Sequence, residues 1–369
     1  MANTITIDAL RQELWSKELL DDVMRDVKNI MRFMGEDGNN VIQVNRDLEK
    51  SKGDTETFGL VARLASDGVT GDDELEGNEE AMTSYNQSVL IDQIRNAVRL
   101  KGKLDAQKVV YDQIKVARGN LQTWMKEFIA RQFFLKLGGV TNLGLTDTNG
   151  NVIGGRALWS NTPAFIPNAD EAAGVGSRYL CINTGGTDAM TSADKLTLDF
   201  VTNAATLARL ATPQIQPLSM DGEDFYVMYV HPYSARDIRK SSDWKTSQQQ
   251  ARERAATNPL FRGALGYWSN VLLLENEYVP WLDFTKFGSG LRSFRGTSGS
   301  DGLVSTARNL LCGRQAILYA QASNPEALVV ETFDYKNKDG VAASFIGGVQ
   351  KTLFNSKEFG VVVVDAAAV

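Results

Sequence analysis

The chain has 369 residues, with 39 Lys plus Arg against 45 Asp plus Glu for a net charge of −6, and it carries one His and two Cys. That length suffices for two or three cores at roughly 100–200 residues each, and 43% hydrophobic residues is the composition of a folded chain rather than a disordered or fibrous one. The acidic balance offers no overall attraction to phosphate backbones or anionic lipid, and a single imidazole, His231, cannot build a two-histidine zinc motif or a multi-histidine metal cluster.

Taken in chain order, the start MANTITIDALRQELW has neither the basic nor the apolar region of a signal peptide. Ile7 to Met34 then shows helical spacing in Leu10, Leu14, Leu19, Val23, Val27, Ile30 and Phe33, halted by Gly35 and Gly38. From Ile42 the period changes to two, clearest in Phe58, Leu60, Ala62 and Leu64, and a second strand-like run, Tyr85 to Leu100, answers it. Between them lies SDGVTGDDELEGNEE (66–80), with seven carboxylates, three glycines and no basic residue. Two strands around such a tip predict an extended hairpin.

The most regular signal follows. Val110, Ile114, Ala117, Leu121, Trp124 and Phe128 alternate four and three apart and form one seam on a helix expected over Leu104 to Leu137, on the order of 50 Å long at ~1.5 Å per residue. Gly138 and Gly139 suit a left-handed C-cap. Lys101, Lys108 and Lys115 recur every seven residues on its polar side, with Arg118 and Lys126 beside them. Beyond Gly139 the chain turns loop-rich to Thr191; a helix is expected over Ser192 to Leu210, capped by Ser192 or Asp194, with Leu196, Phe200, Ala204 and Leu207 on one face. A strand from Asp224 to His231, a charged helix from Tyr233 to Lys240, a strand over Asn270 to Glu275, a glycine-rich segment 288–302, an apolar stretch Leu310 to Ala320, and strands over Leu328 to Phe333 and Phe359 to Asp365 complete the pattern. The longest apolar runs are strand-sized, well short of the ~18 residues of a membrane span.

Chemical motifs are sparse. The one Gly-Lys pair, Gly102-Lys103, precedes Leu104 where a phosphate loop needs Ser or Thr. Asp147-x-Asn149-x-Asn151 resembles the start of a calcium loop but has Val152 where glycine is required, so a tight Asn-Gly turn is expected instead. Cys181 and Cys312 sit in apolar settings without a CxxC partner and read as reduced core residues. His231 precedes Pro232 with no nucleophile elbow nearby, which favours a structural hydrogen bond over catalysis. Arg236, Arg239, Lys240, Lys245, Arg252, Arg254 and Arg262, interleaved with Trp244 and Phe261, could touch nucleic acid, but pairing on a helix surface or subunit contact fits them better. No catalytic residue, cofactor or metal site is expected.

Lys52 to Leu100 followed by the long helix resembles the major capsid proteins of tailed bacteriophages of the N-four-type group, which have the α+β Hong Kong ninety-seven-type (Johnson) capsid fold. The resemblance continues in FYVMYVHPYSARDIR (225–239), NPLFRGALGYWSNVLLLENEYVP (258–280) and FNSKEFGVVVVDAAA (354–368), and is weakest over 142–191 and 288–303. It implies an N-terminal arm (1–51), an extended β-hairpin loop (52–100), a spine helix of a peripheral domain (101–139), an axial domain (140–330) and a return to the peripheral domain (331–369). It implies a structural coat protein that assembles with itself as hexamers and pentamers into the icosahedral head of a double-stranded DNA phage, in the host bacterial cytoplasm. A separate scaffolding protein, a portal and decoration proteins are the implied partners, with packaged DNA in non-specific contact. Because the extended loop of this family overlies a neighbouring subunit, Asp72, Asp73, Glu74, Glu76, Glu79 and Glu80 at the tip are expected to meet Lys101, Lys108, Lys115 and Arg118 across that boundary. An encapsulin-like compartment enclosing enzymes is the alternative within this fold. An enzyme working through paired carboxylates is the alternative outside it.

Overall fold

The computed structural model describes residues 32–46, 53–61, 68–71, 74–80, 82, 84–108, 113–139, 178–183, 190–211, 214–220, 222–251, 265–282, 304–322, 326–335, 337–354, 357–358 and 360–369. The arm helix expected over 7–34, apart from its last residues, the Asp147 turn and the glycine-rich segment 288–302 lie outside the described residues.

The first half of the chain contributes β1 (Met34–Gly35), β2 (Ile42–Asn45), β3 (Thr55–Val61), β4 (Ser84–Leu90), β5 (Asp92–Arg99), α1 (Lys103–Lys108), α2 (Gln113–Leu137) and β6 (Tyr179–Cys181). Next come α3 (Leu198–Leu210), β7 (Leu218–Met220), β8 (Glu223–Val230), α4 (Pro232–Lys240), α5 (Ser242–Ala251), β9 (Gly266–Trp268), β10 (Val271–Glu275) and β11 (Trp281–Leu282). The last part is nearly all strand: β12 (Thr306–Cys312), β13 (Ile317–Gln321), β14 (Glu326–Phe333), β15 (Lys338–Lys351), β16 (Leu353–Phe354), β17 (Lys357–Glu358) and β18 (Val361–Ala367).

Two sheets organise these elements. An eight-stranded mixed sheet has the order β6-β18-β12-β8-β10-β9, with β11 on β12 and β7 on β8. Its central strands are rich in apolar residues on both sides because both faces are covered. Val227, Tyr229, Leu272, Leu274, Leu310, Val361 and Val363 point to one core, which they share with α2. Their neighbours Tyr226, Met228, Val230, Leu273, Leu311, Val362 and Val364 point to the other, with α3, α4 and α5. Side-chain alternation along a strand thus builds two cores from one sheet.

The second sheet has six strands, β1-β2-β13-β15-β14 with β5 on the other side of β15. The seam of α2 lies in the core it shares with this sheet: Ala117, Leu121, Met125, Phe128 and Ile129 are buried, with Ile114 and Trp124 packed at its margin. At ~1.5 Å per residue the 25 residues of α2 span roughly 37 Å. The helix stops where expected, with Gly139 at φ +63° and its N–H bonded to Lys136 O.

Several expectations shift. Tyr85 to Leu100 is two strands rather than one: β4 pairs with β3, the Ile91 N–H bonds to Asp54 O, and β5 pairs with β15. The helix expected from Ser192 starts at Leu198 with Thr197 as N-cap. Asp194 is already committed, since its Oδ2 accepts hydrogen bonds from Thr191 N, Thr191 Oγ1 and Asn183 Nδ2 at 2.6, 2.8 and 3.0 Å. The buried face of α3 is accordingly Leu198, Val201, Ala204, Ala205 and Ala208. Leu310 to Ala320 divides into β12 and β13, which join different sheets. The expected division at residue 330 does not separate the sheets either: β13, before it, pairs with β15, and β18, after it, pairs with β12 over seven residues.

Candidate assembly surfaces

β3 and β4 form the expected hairpin, in register from Thr55 opposite Leu90 to Val61 opposite Ser84. Among the described residues, its contacts with the body are at the base. Phe58 and Val89 pack on Leu318 and Ala320 of β13. Gln87 clamps the main chain at the end of β15, with Nε2 donating to Lys351 O at 2.7 Å and Oε1 accepting from Leu353 N at 2.8 Å. Gly348 is obligatory here, because a Cβ on it would lie 2.2 Å from Leu90 O. Behind the clamp, Lys351 Nζ reaches Glu358 Oε1 at 2.6 Å, both side chains buried.

The tip is open. Asp72 and Asp73 lie outside the described residues, while Glu74, Glu76, Glu79 and Glu80 are exposed. Gly68, Gly71 and Gly77 all have positive φ, so the glycines bend the tip as its composition suggested. A small turn orders the far end: Asn78 donates through Nδ2 to Glu74 O, its N–H bonds to Leu75 O, and Glu79 Oε2 accepts from Gly77 N. That turn presents Leu75 and Met82, 60% and 70% exposed, among the carboxylates. Among the described residues no group of three or more His, Cys, Asp or Glu is placed to hold a metal ion. Of the basic row, Lys101, Lys108 and Lys115 are exposed and Arg118 is half-buried.

A second constellation, which sequence reasoning missed, joins the helix to the eight-stranded sheet. Arg308 of β12 is fully buried and forms a two-pronged pair with Asp365 of β18, Nε to Oδ1 at 2.9 Å and Nη2 to Oδ2 at 2.7 Å. Its Nη1 donates to Gly138 O at 2.9 Å, satisfying a carbonyl at the end of α2 that has no partner within the helix. Tyr179 Oη donates to Asp365 Oδ2 at 2.9 Å. Burial works against the Arg308 charge, and the Asp365 carboxylate overrides it; burial and the same carboxylate push the Tyr179 phenol up. The signal was present in the sequence as an Asp inside the apolar run Val361–Ala367 and an Arg next to Asn309 and the apolar Leu310–Leu311.

His231 has the structural role expected of it. It is the N-cap of α4, its Nδ1 accepting from Tyr233 N at 3.4 Å, and its own N–H donates to Asn309 Oδ1. The ring stacks against Tyr233 and Trp281, and burial lowers its pKa to about 4, so it is neutral at pH 7. Burial pushes the Cys312 thiol up to about 12 and that of half-buried Cys181 up to about 11, leaving both free thiols protonated and poorly nucleophilic. In the basic segment, Arg236 pairs with Asp237 and the Val369 main-chain oxygen, and Arg239 with Glu275, while Trp244 is buried. Arg252, Arg254, Phe261 and Arg262 lie outside the described residues. No described helix is long and apolar enough to cross a membrane.

A hairpin tied at its base to a body built on a long helix and two sheets is an architecture this chain shares with phage capsid proteins. The family model for phage capsid proteins matches residues 3–369, and the chain belongs to that family. The major capsid protein of Pseudomonas phage KPP25 is 28% identical over 379 residues, covering 97% of this chain and 95% of that protein. Among solved structures, the capsid of Ralstonia phage GP4 superposes with a TM-score of 0.76 at 27% identity, covering 92% of this chain and 90% of that one. The capsid of cyanophage Pam1, at 24% identity, shares the fold with a TM-score of 0.69 over 91% of each chain. The α+β Hong Kong ninety-seven-type fold and the virion as the protein's location follow, and phage matches at this coverage favour a viral head over an enzyme-filled compartment.

Proposed function

We propose that this chain is the principal shell subunit of the head, assembling with itself as hexamers and pentamers into an icosahedral container for double-stranded DNA. The observation that carries this reading is a hairpin held at its base by Gln87 and Gly348 while its acidic tip is exposed, on a chain that fits the capsid family from end to end. Residues 1–51 form the arm, whose β1 and β2 join the six-stranded sheet, and 52–100 the extended loop, whose returning strand β5 joins the same sheet. The six-stranded sheet with α2 is the peripheral domain, and the eight-stranded sheet with α3–α5 the axial domain, so β13 and β14 go with the former and β18 with the latter. The subunit acts as a building block without catalysis. Scaffolding protein, portal and decoration proteins are its partners during assembly in the host cytoplasm, and a net charge of −6 confines DNA without gripping it.

In the shell, Asp72, Asp73, Glu74, Glu76, Glu79 and Glu80 of one copy face the basic side formed by Lys101, Lys108, Lys115 and Arg118 of the next. Each exposed pair contributes only ~0–1 kcal/mol, but every subunit boundary repeats it. Cryo-EM of the expressed chain tests the shell directly. Reversing Asp72, Asp73 and Glu74 to Lys is expected to lower particle yield and heat resistance; particles of unchanged number and stability would refute the charge pairing.

A further inference from the structure

Where β5 hands over to α1, the chain meets the turn between β14 and β15. Lys103 N donates to Asn337 O at 3.1 Å, Leu100 N to Asp339 O at 2.8 Å, and the Arg99 guanidinium lies 4.6 Å from the centre of the Phe333 ring. Asp334 and Tyr335 both take left-handed backbone, φ +57° and +50°, conformations that cost a Tyr free energy. Tyr335 gains no packing in return, since its side chain is fully exposed. Leu104 beside this corner is 70% exposed. Arg99, Lys101, Lys103 and Lys338 share these two segments with Asp105 and Asp339, and Asp334 is already paired to Lys338 at 3.0 Å, which leaves the cations in excess. An exposed aromatic and an exposed aliphatic side chain on segments with an excess of basic residues fit a protein contact.

The tip of the hairpin is its complement. Leu75 and Met82 stand exposed among Glu74, Glu76, Glu79 and Glu80. The register of β15 sets the two surfaces apart within one subunit. Gln87 binds the Lys351 end of β15, Leu90 O lies against Gly348, and then Asp92 pairs with Gly347 and Arg99 with Gly340. The hairpin therefore leaves past one end of β15 and the Tyr335 corner sits at the other. At ~3.3 Å per residue, its 14 residues separate them by on the order of 40 Å.

Resting on the reading that the tip contacts a neighbouring copy, we propose that the Tyr335–Leu104 corner is the seat of that tip: Leu75 and Met82 of one subunit pack on Tyr335 and Leu104 of the next, with the Glu residues facing Arg99, Lys101 and Lys103. Two unlike surfaces at opposite ends of one chain make a heterologous contact, the kind that closes into rings. Lys101 belongs to this seat, whereas Lys108 ends α1 and Lys115 lies on α2.

Tyr335→Gly separates the ring's contact from folding, because glycine suits the positive φ. The variant is expected to keep or raise the unfolding midpoint of the subunit and to lower shell yield at least tenfold. Zero-length carbodiimide coupling of assembled shells is expected to join Glu74 or Glu76 to Lys101 or Lys103 between copies. If Tyr335→Gly shells form at wild-type yield, or the tip couples to Lys108, Lys115 or another surface instead, this seat is wrong while the tip-to-neighbour reading stands. If shells give no coupling from the tip between copies and tip reversal is harmless, that reading fails and this proposal with it.

Discussion

In β12 and β18 of the eight-stranded sheet every residue is buried, whereas in β4 of the hairpin only Gln87 and Val89 are. The sheet is covered by helices on one side and by α2 and the second sheet on the other, so its stability is supplied within the subunit. An isolated two-stranded hairpin is marginal in water, and this one is held by a four-residue apolar contact and one glutamine at its base. The difference separates two jobs. The body carries the stability of the fold, and the hairpin offers surface whose burial has to come from another molecule.

Changes in the body should be felt through the whole subunit. Asp365→Ala leaves the Arg308 guanidinium buried without its carboxylate, and urea unfolding of the unassembled subunit is expected to show a loss of about 3–5 kcal/mol. Replacing Arg308 and Asp365 together by Met and Leu should cost far less, because no charge is then stranded. A double variant as unstable as Asp365→Ala would mean that the network acts through its geometry instead.

The next effect is set by pH. The folded value of His231 is about 4 against an ordinary 6.5. Between those values the unfolded chain binds more protons, so this contribution is complete above pH 6.5 and is lost as pH falls toward 4, by about 3 kcal/mol. His231→Asn keeps an N-cap acceptor and removes the titration. Stability measured from pH 7 to pH 4 should therefore fall less steeply in that variant than in the wild type.

Gln87→Leu is the smallest of the three and the one confined to the hairpin. It strips partners from Lys351 O and Leu353 N, costing about 2 kcal/mol. Hydrogen exchange is expected to rise in β3 and β4 and to stay unchanged in β12 and β18. Equal acceleration in both regions would erase the distinction between body and hairpin.

Much of this division was legible beforehand. Phe58 and its alternating partners marked the hairpin, the seven carboxylates marked its tip, and the spacing from Ile114 to Phe128 marked the long helix, because period and charge are local properties of a chain. The 14-residue β15 was overlooked although Val341, Ala343, Phe345 and Val349 alternate; glycine, alanine and serine between them dilute the signal. Asp194 looked like a helix cap and instead closes a turn, since its competing partners Thr191 and Asn183 are visible only once the chain is folded.

The sequence by itself determined the long helix, the strand over Asp224 to His231, where the hairpin and its charge lie, and which chemistries one histidine excludes. The tertiary structure alone decided that β13 and β18 join opposite sheets, that Arg308 finds Asp365 and the end of α2, that Gln87 reaches Lys351, and that Tyr335 stands unsupported at the far end of β15. Those side-chain contacts join residues 57 to 264 positions apart, and no local propensity or period encodes which distant partner a buried charge or an open strand edge will meet.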